Sequence, residues 1–535
     1  QEKKIFTVQG PYPVIRSLLR ARGWVEKKLP STGRVGNQPG RHHGSQEKQR
    51  QEEEEGGAGA EQGEAVQSCL VRDQVPYFIW TSRCGAVDSR LLRRDQVLNH
   101  YAQVGAFTTK EGLCLNLRNL PWFDQADPDA FFPRCYRLGA ADEQQAFIED
   151  FCLTAARSLL KVALERAGDV PAGTEQLPKS GEGSGKHQVP RSHVPHPMPP
   201  TVGPGPPLPP QLVEEALRVC GQHLGSLGHQ DIDGDPPYPI TTGTDWDRFL
   251  QDYYRVVHEG AGLALSRAQR ERCRALLQRL AGRLPQLGME GNHNVWILKP
   301  GAKSRGRGIV CTARLEEVLR LAGGCVAPSA PAGEWVVQKY VEQLLLIFGT
   351  KFDIRQWFLV TDWNPLTIWF YRESYLRFCS QPFSLHHLDR ARHLCNVSIQ
   401  KQCRPAQAQH PRLPPDQIWS CRQLQAYLAR VGRAGAWHQV MVPGMKAAVV
   451  GALRSAQDLV GSRKGSFELY GADFVFGEDC QPWLLEINAS PTMAPSSAVT
   501  GRLCASVQRD TLRVVIDRRD DPTCPTGAFE LIYKE

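Results

Sequence analysis

The chain has 535 residues, 41% apolar and 22% charged, and its 64 Lys+Arg against 56 Asp+Glu leave a formal charge of +8. That composition excludes a disulfide miniprotein, a collagen and a wholly disordered chain, and the length allows about three or four domains. The longest apolar run, Met445 to Leu453, falls short of the ~18 residues a membrane helix needs, so a soluble, multidomain protein is expected.

The chain begins at Gln1, with no apolar targeting run there. Two stretches, about 31–68 and 171–210, are poor in large apolar residues and rich in Gly, Glu or Pro, as in Glu52-Glu53-Glu54-Glu55 and Pro204-Gly205-Pro206-Pro207. Neither can bury enough area to offset chain entropy, so both are expected to be disordered insertions, the second a plain linker. Tyr77–Trp80 reads as a strand and Asp142–Leu164 as a helix with Phe147, Phe151, Leu159 and Leu160 on its apolar face. Thr244–Val257 and Ser266–Leu284 read as amphipathic helices, the arginines of the second forming a solvated face. After Asn294 short strands follow: Val295–Lys299, Trp335–Val341, Phe352–Thr361, Thr367–Arg372, Gly471–Phe476 and Trp483–Ile487. Each carries charges in apolar sequence. Buried strands do not tolerate unpaired charge, so these side chains are expected to converge on something of opposite sign.

The 16 cysteines are scattered singly, without CxxC pairs or zinc-finger spacing, and are read as small apolar residues in a reducing compartment. Asn396-Val397-Ser398 and Asn488-Ala489-Ser490 match the glycosylation sequon, but sit in strand-like or motif-like sequence and are read as chance.

Three constellations carry chemistry. In Trp296–Ile309 a strand ends in Lys299 and runs into a loop with Lys303, Arg305, Gly306, Arg307 and Gly308. Glycines let the backbone approach an oxyanion, and Lys and Arg neutralise phosphate, although neither a Walker loop nor a Rossmann signature is present. In the second, Lys351, Asp353 and Arg355 alternate along a strand and share a face, with Phe352 and Ile354 on the other. In the third, Asp473 joins Glu486 and Asn488, a hard-oxygen set that suits Mg²⁺.

The order of these motifs resembles the tubulin tyrosine ligase-like family, which has an α/β (α+β) ATP-grasp fold. Asn99-His100-Tyr101, Phe132–Leu138 and His393–Lys401 are similar to further segments of that family, and Val8–Arg16 with Arg22–Lys28 is similar to the entry segment of its tubulin monoglycylases. The resemblance implies an N-terminal domain at 1–240, a central domain at 241–340, a C-terminal domain at 341–520 and a tail at 521–535, with nucleotide between the central and C-terminal domains. It implies that Lys299, Arg305 and Gly306 hold ATP phosphates and that Gln338, Lys339, Tyr340 and Val341 bracket adenine. Lys351, Phe352, Asp353, Cys395 and Asn396 would line the rest of the nucleotide site, and Asp473, Glu486 and Asn488 would hold Mg²⁺. Arg355 would stabilise the transferring phosphoryl group. Arg372 would grip the carboxylate of the donor amino acid, a role that suits its expected place on a strand with no nearby acid on the same face. Cys395 stands where the family has threonine, and Val397 where glutamate-adding members commonly have tyrosine, which is compatible with the smaller glycine.

The implied reaction is glycine ligation, through an acylphosphate, to glutamate side chains in tubulin tails. A glutamate ligase of the same family and an inactive microtubule-binding member remain alternatives. The positive charge suits an acidic, flexible partner. No nucleic-acid signature is present, no membrane partner is expected, and a monomer in the cytoplasm, cytoskeleton and ciliary axoneme is anticipated.

Overall fold

The computed structural model describes residues 4–28, 67–68, 70–122, 124, 126–167, 211–227, 244–301, 306–323, 335–403 and 410–535. The expected insertion at 171–210 lies outside the described residues, as does that at 31–68 except for its last two positions.

Three sheets organise the chain. The first is parallel, in the order β2-β1-β3-β4, from Ile5–Val8 (β1), Val25–Glu26 (β2), Phe78–Trp80 (β3) and Val97–Leu98 (β4). The second is antiparallel, in the order β5-β8-β6-β7, from Cys135–Arg137 (β5), Trp296–Pro300 (β6), Val310–Thr312 (β7) and Trp335–Lys339 (β8). The third is also antiparallel, in the order β11-β10-β9-β12-β13, from Phe352–Trp363 (β9), Leu366–Phe378 (β10), Ile418–Ser420 (β11), Glu468–Phe476 (β12) and Pro482–Ala489 (β13). Phe529–Lys534 (β14) adds to it beside β10. This mixed helix-and-sheet architecture accords with the expected α/β ATP-grasp class.

The three helices expected from the sequence form, among others that it did not signal. Ala141–Arg166 buries Phe147, Phe151, Leu159 and Leu160. Arg267–Ala281 starts at Ser266, whose hydroxyl and Gln269 make a reciprocal capping box. Both pack with Gln211–Ser226 and Trp246–Val257 into one core that also takes Trp296, Leu298 and Val337 from the second sheet.

Three expectations need correction. β5 hydrogen-bonds to β8, and Ala141–Arg166 packs on the same sheet, so the central body starts before Arg137 rather than at residue 241. Residues 521–535 are not an appendage, because β14 completes the third sheet. Cys114, on the helix Lys110–Arg118, and Cys135 are joined as a disulfide with Cα atoms 6.1 Å apart, so these two are not separate thiols. The 21-residue spacing of that pair carries no signal, since only the packing of the helix against β5 brings the sulfurs together. Among the described residues no helix is long and apolar enough to cross a membrane.

β14 is held by packing as well as by its ladder. Phe529 is buried, its ring 4.8 Å from that of Tyr371, and Asp510 accepts both the Tyr371 hydroxyl and the Ala528 N–H. Phe529→Ala is expected to cost about 3–5 kcal/mol, as a buried aromatic deletion does. Denaturant unfolding checks this, and a loss below about 1 kcal/mol, typical of surface changes, would mean that β14 is peripheral.

Candidate active site

The second and third sheets face each other across a cleft of about 700 Å³, its solvent-open part included. Ile297, Tyr340, Val341, Leu344, Val475 and Leu485 line its apolar side. Lys299, Lys351, Asp353, Asn396, Asp473 and Glu486 line its polar side. Lys299 and Glu486, far apart in sequence, therefore meet as expected, and Lys299 Nζ lies 3.2 Å from the Leu485 carbonyl oxygen.

Strand register explains which residues converge. In the third sheet Asp353 stands opposite Arg377, Arg355 opposite Asp473, Asp473 opposite Glu486, and Gly471 opposite Asn488. Directly paired residues share a face, so all of these side chains project toward one side of the sheet. Arg377 holds Asp353 through two bonds of 2.6 and 2.7 Å, and Arg355 holds Asp473 through two of 2.6 and 3.1 Å. Arg377 also reaches Asp473 at 3.1 Å, which links the two pairs into a chain. Burial opposes the charge of Asp473, but Arg355 and Arg377 outweigh it and hold the carboxyl below its ordinary value. Gly471 leaves the room that this requires, because a Cβ there would stand 2.9 Å from Arg355 Cδ.

Asn488 Nδ2 is 3.3 Å from Asp473 Oδ2 and 3.4 Å from Glu486 Oε1, so the three side chains expected around a cation are in mutual reach. Among the described residues no three His, Cys, Asp or Glu side chains form a metal-ligating cluster. A cation here would have two carboxylates and one amide oxygen, a set that fits a hard ion keeping several waters or phosphate oxygens.

Across the cleft, Lys299 donates to Gln338 Oε1 at 2.6 Å, and Gln338 in turn donates to the Pro133 carbonyl at 2.9 Å. Burial pushes the Lys299 amine down to about 8, with Glu486 opposing. Lys351 donates to the Tyr340 hydroxyl at 3.0 Å and to the His393 carbonyl at 2.7 Å. His393 is kept neutral by burial, its pKa lowered to about 4. Its Nε2 faces the Ser384 and His387 carbonyls at 3.0 and 2.9 Å, which makes Nε2 the protonated nitrogen. Nδ1 therefore accepts from the Tyr340 hydroxyl at 2.8 Å, and that oxygen is free to accept from Lys351. Two of the three ammonium hydrogens of Lys351 are thus committed, and among the described residues the third has no acceptor. Gly306, at φ +71, comes so close to Asn396 that a Cβ would lie 2.9 Å from Asn396 Oδ1. Burial and the hydrogen bond shared with Cys379 push the Cys395 thiol up, so it stays neutral.

Other expected residues lie elsewhere or are already occupied. Arg305 falls outside the described residues. Lys339 is buried against Glu342 at 2.7 Å and the Val295 carbonyl at 2.8 Å, which makes its side chain a structural ion pair beneath the cleft. Phe352 points to the opposite face of β9 and packs on Phe378 and Phe476, as strand alternation requires. Arg372 is exposed and donates to the Gly527 carbonyl at 2.9 Å. It falls in the irregular register between Phe370 and Ser374, where the alternation assumed for a regular strand does not hold. The buried arginine on the active face of β10 is Arg377, missed because the predicted strand stopped at Arg372. Also missed was Lys110, 3.3 Å from Glu486 at the start of the helix Lys110–Arg118, which Thr109 caps by accepting from the Gly112 N–H. Its sequence neighbourhood signals a helix start but no site.

Arg377→Ala would leave Asp353 buried without its partner and is expected to cost about 3–5 kcal/mol. Arg372→Ala is expected to stay within about 0.5 kcal/mol of wild type. Parallel denaturant titrations check the contrast, and equal losses would contradict the placement of the two arginines.

Comparison with known proteins accords with this geometry. Residues 251–522 match the tubulin-tyrosine ligase family. The chain is 53% identical over 575 residues to the tubulin monoglycylase TTLL3 of Mus musculus, with all of this chain and 59% of the relative covered. It is 51% identical over 549 residues to the tubulin monoglycylase TTLL3 of Danio rerio, covering 69% of that protein. It is 46% identical over 545 residues to the protein monoglycylase TTLL8 of Homo sapiens, covering 63% of it. The chain thus spans roughly three fifths to two thirds of the length of these relatives. With the family match extending over the paired sheet face and the cleft above it, the chain belongs to the tubulin-tyrosine ligase family.

Proposed function

We propose that the chain is an ATP-dependent ligase that attaches glycine, through an isopeptide bond, to glutamate side chains in the C-terminal tails of tubulin. The observation that carries this reading is the identity of 51–53% to tubulin monoglycylases along the whole of this chain, spanning every residue of the cleft. The chemistry of the cleft supports it. A carboxylate is a poor electrophile, so the γ-phosphoryl group of ATP passes first to the acceptor glutamate. The acylphosphate then loses phosphate to attack by the amino group of glycine. Lys299 and Lys351 neutralise the triphosphate, and Arg355 and Arg377 border the transferring group from the sheet face. Asp473, Glu486 and Asn488 would hold Mg²⁺, which when bound screens phosphate charge. The apolar side, between Tyr340, Val341 and Leu485, suits a purine ring. The proposed setting is the cytoplasm and cytoskeleton, with the ciliary axoneme as the microtubule array.

The test is incubation of purified protein with ATP, Mg²⁺ and tubulin in the presence of labelled glycine and labelled glutamate in competition, followed by mass spectrometry of the tails. Glycine on tail glutamates is expected, and Glu486→Gln is expected to abolish transfer without unfolding the protein. Incorporation of glutamate in place of glycine would overturn the donor assignment, and no incorporation by wild type would overturn the reading.

The Lys299 amine gives a pH signature. It is charged below about 8 and loses its proton above, and a bound triphosphate raises that value. Nucleotide affinity is therefore expected to be level below pH ~8 and to fall above it by up to about tenfold per unit. Lys299→Arg should remove the fall, because a guanidinium stays charged. Calorimetric titration of a non-hydrolysable ATP analogue between neutral and alkaline pH decides this; a level wild-type profile would count against the role.

A further inference from the structure

Just before β9, Ile347 and Thr350 form a reciprocal pair of backbone bonds of 3.1 and 3.0 Å around Phe348 and Gly349. Phe348 has φ +50 and Gly349 φ +68, which makes this a two-residue turn with both central residues left-handed. Such turns strongly favour Asn-Gly, and a bulky aromatic at positive φ is an outlier. Backbone preference therefore does not account for Phe348, and its ring has to.

That ring lies at the centre of a cationic platform. His410 stacks on it at 4.1 Å with planes 2° apart, and Tyr427 meets it edge-on at 5.4 Å. The guanidinium groups of Arg430 and Arg412 lie 5.6 and 6.0 Å from its centroid, and Arg430 also lies 5.5 Å from the Tyr427 ring. Arg412 and Arg430 are exposed, and among the described residues neither is paired with a carboxylate. Burial raises the Tyr427 hydroxyl, and the charges opposing it, Arg430 and Arg433, are both positive. From residue 410 to 433 the sequence holds Arg412, Arg422, Arg430 and Arg433 against Asp416 alone, and Arg422 is taken by Glu373. Cations gathered round one ring repel one another until an anion joins them.

The platform packs through Trp419 on the face of the third sheet that carries Phe378, and the chain itself links it to the cleft. Phe348 precedes Lys351 by three residues, about 10 Å of chain at most, and the Lys351 carbonyl accepts from Cys379 N at 3.0 Å. We propose that Phe348, His410, Tyr427, Arg412 and Arg430 form a docking site for a carboxylate-rich peptide, engaging acceptor residues beyond the glutamate being modified. This rests on the ligase reading for the identity of the peptide, while the charge complementarity stands on the geometry alone. A nucleic acid fits less well, because His410 already covers the Phe348 face that a base would need.

The test is anisotropy of a fluorescein-labelled oligoglutamate peptide titrated with the full chain, alongside kinetics of glycine transfer. The double variant R412E/R430E is expected to weaken peptide binding roughly tenfold or more, as reversal of two interfacial charges does, and to raise KM for the tubulin tail but not for ATP. Phe348→Asn retains a favoured turn, so its thermal midpoint should stay near that of wild type while peptide affinity falls. Glu486→Gln should bind the peptide like wild type. Unchanged peptide affinity in R412E/R430E would overturn the proposal, as would preferential binding of single-stranded oligouridylate abolished by the same variant. If wild type binds the peptide through these arginines yet transfers no glycine, the ligase reading fails and the platform stands. If glycine is transferred but binding ignores the arginines, only the platform fails.

Discussion

A charge buried on a sheet face has to be neutralised where it stands, and the centre of this protein is built on that constraint. Arg355, Asp473, Arg377 and Asp353 form an unbroken chain of opposite charges across β12, β9 and β10. Each bond crosses a strand boundary, so the same contacts that neutralise charge also fix the register of the three strands. Removal of one member uncovers its neighbour, which makes the chain costly to break although its net contribution to stability is small. Two arginines balance two aspartates, so this sheet face is electrically quiet. The positive excess in the cleft comes from Lys299 on the second sheet and Lys351 just before β9, where a polyanion would sit.

The second sheet meets its own version of the constraint. Lys339 is buried beneath the cleft and paired with Glu342, and the Lys339 N–H is bonded to the Arg134 carbonyl at 2.9 Å. Arg134 continues into a network with Asp150, Glu290 and Arg157 at 2.5 to 3.5 Å. Burial opposes the charge of Glu290, but Arg157, Arg134 and Lys161 prevail and keep it ionised. Residues 133–134 thus anchor the end of β8 that carries Gln338 and leads into Tyr340. This is the physical reason that β5 and the helix Ala141–Arg166 belong to the central body and not to an N-terminal domain.

Much of this was legible from local pattern. Alternation placed Lys351, Asp353 and Arg355 on one face, and the spacing of Glu486 and Asn488 did the same for β13. Caps and apolar stripes gave the helices at Ala141–Arg166 and Arg267–Ala281 to within a few residues. What was not legible depends on events between strands. The irregularity between Phe370 and Ser374 changes the alternation of β10, so Arg372 turns to solvent and Arg377 takes the buried position. Phe352, adjacent to two site residues, was drawn into the site by its motif although alternation sends it to the core. The pairing of Lys339 with Glu342, three residues on, could have been read as an ion pair, but its burial could not.

Lys110 shows how far the site depends on chain outside the family match, which begins at residue 251. Its position follows from a further buried carboxylate. Glu468, on β12, accepts from the Tyr101 N–H at 3.0 Å and the Tyr470 hydroxyl at 2.8 Å, and its other oxygen lies 2.9 Å from His100 Nδ1. Leu98 N adds a bond of 2.9 Å to the Gly465 carbonyl. These contacts fasten the segment after β4 to the strand that carries Asp473, five residues from Glu468. Phe107 then packs on Tyr470 and Trp363, which aims the next helix at β13 and brings Lys110 to Glu486. Glu486, which lines the cleft, is thus balanced by a cation whose placement depends on Glu468, on the far side of the ion-pair chain. The segment after the parallel sheet therefore bears on the active site although none of that sheet's strands lines the cleft.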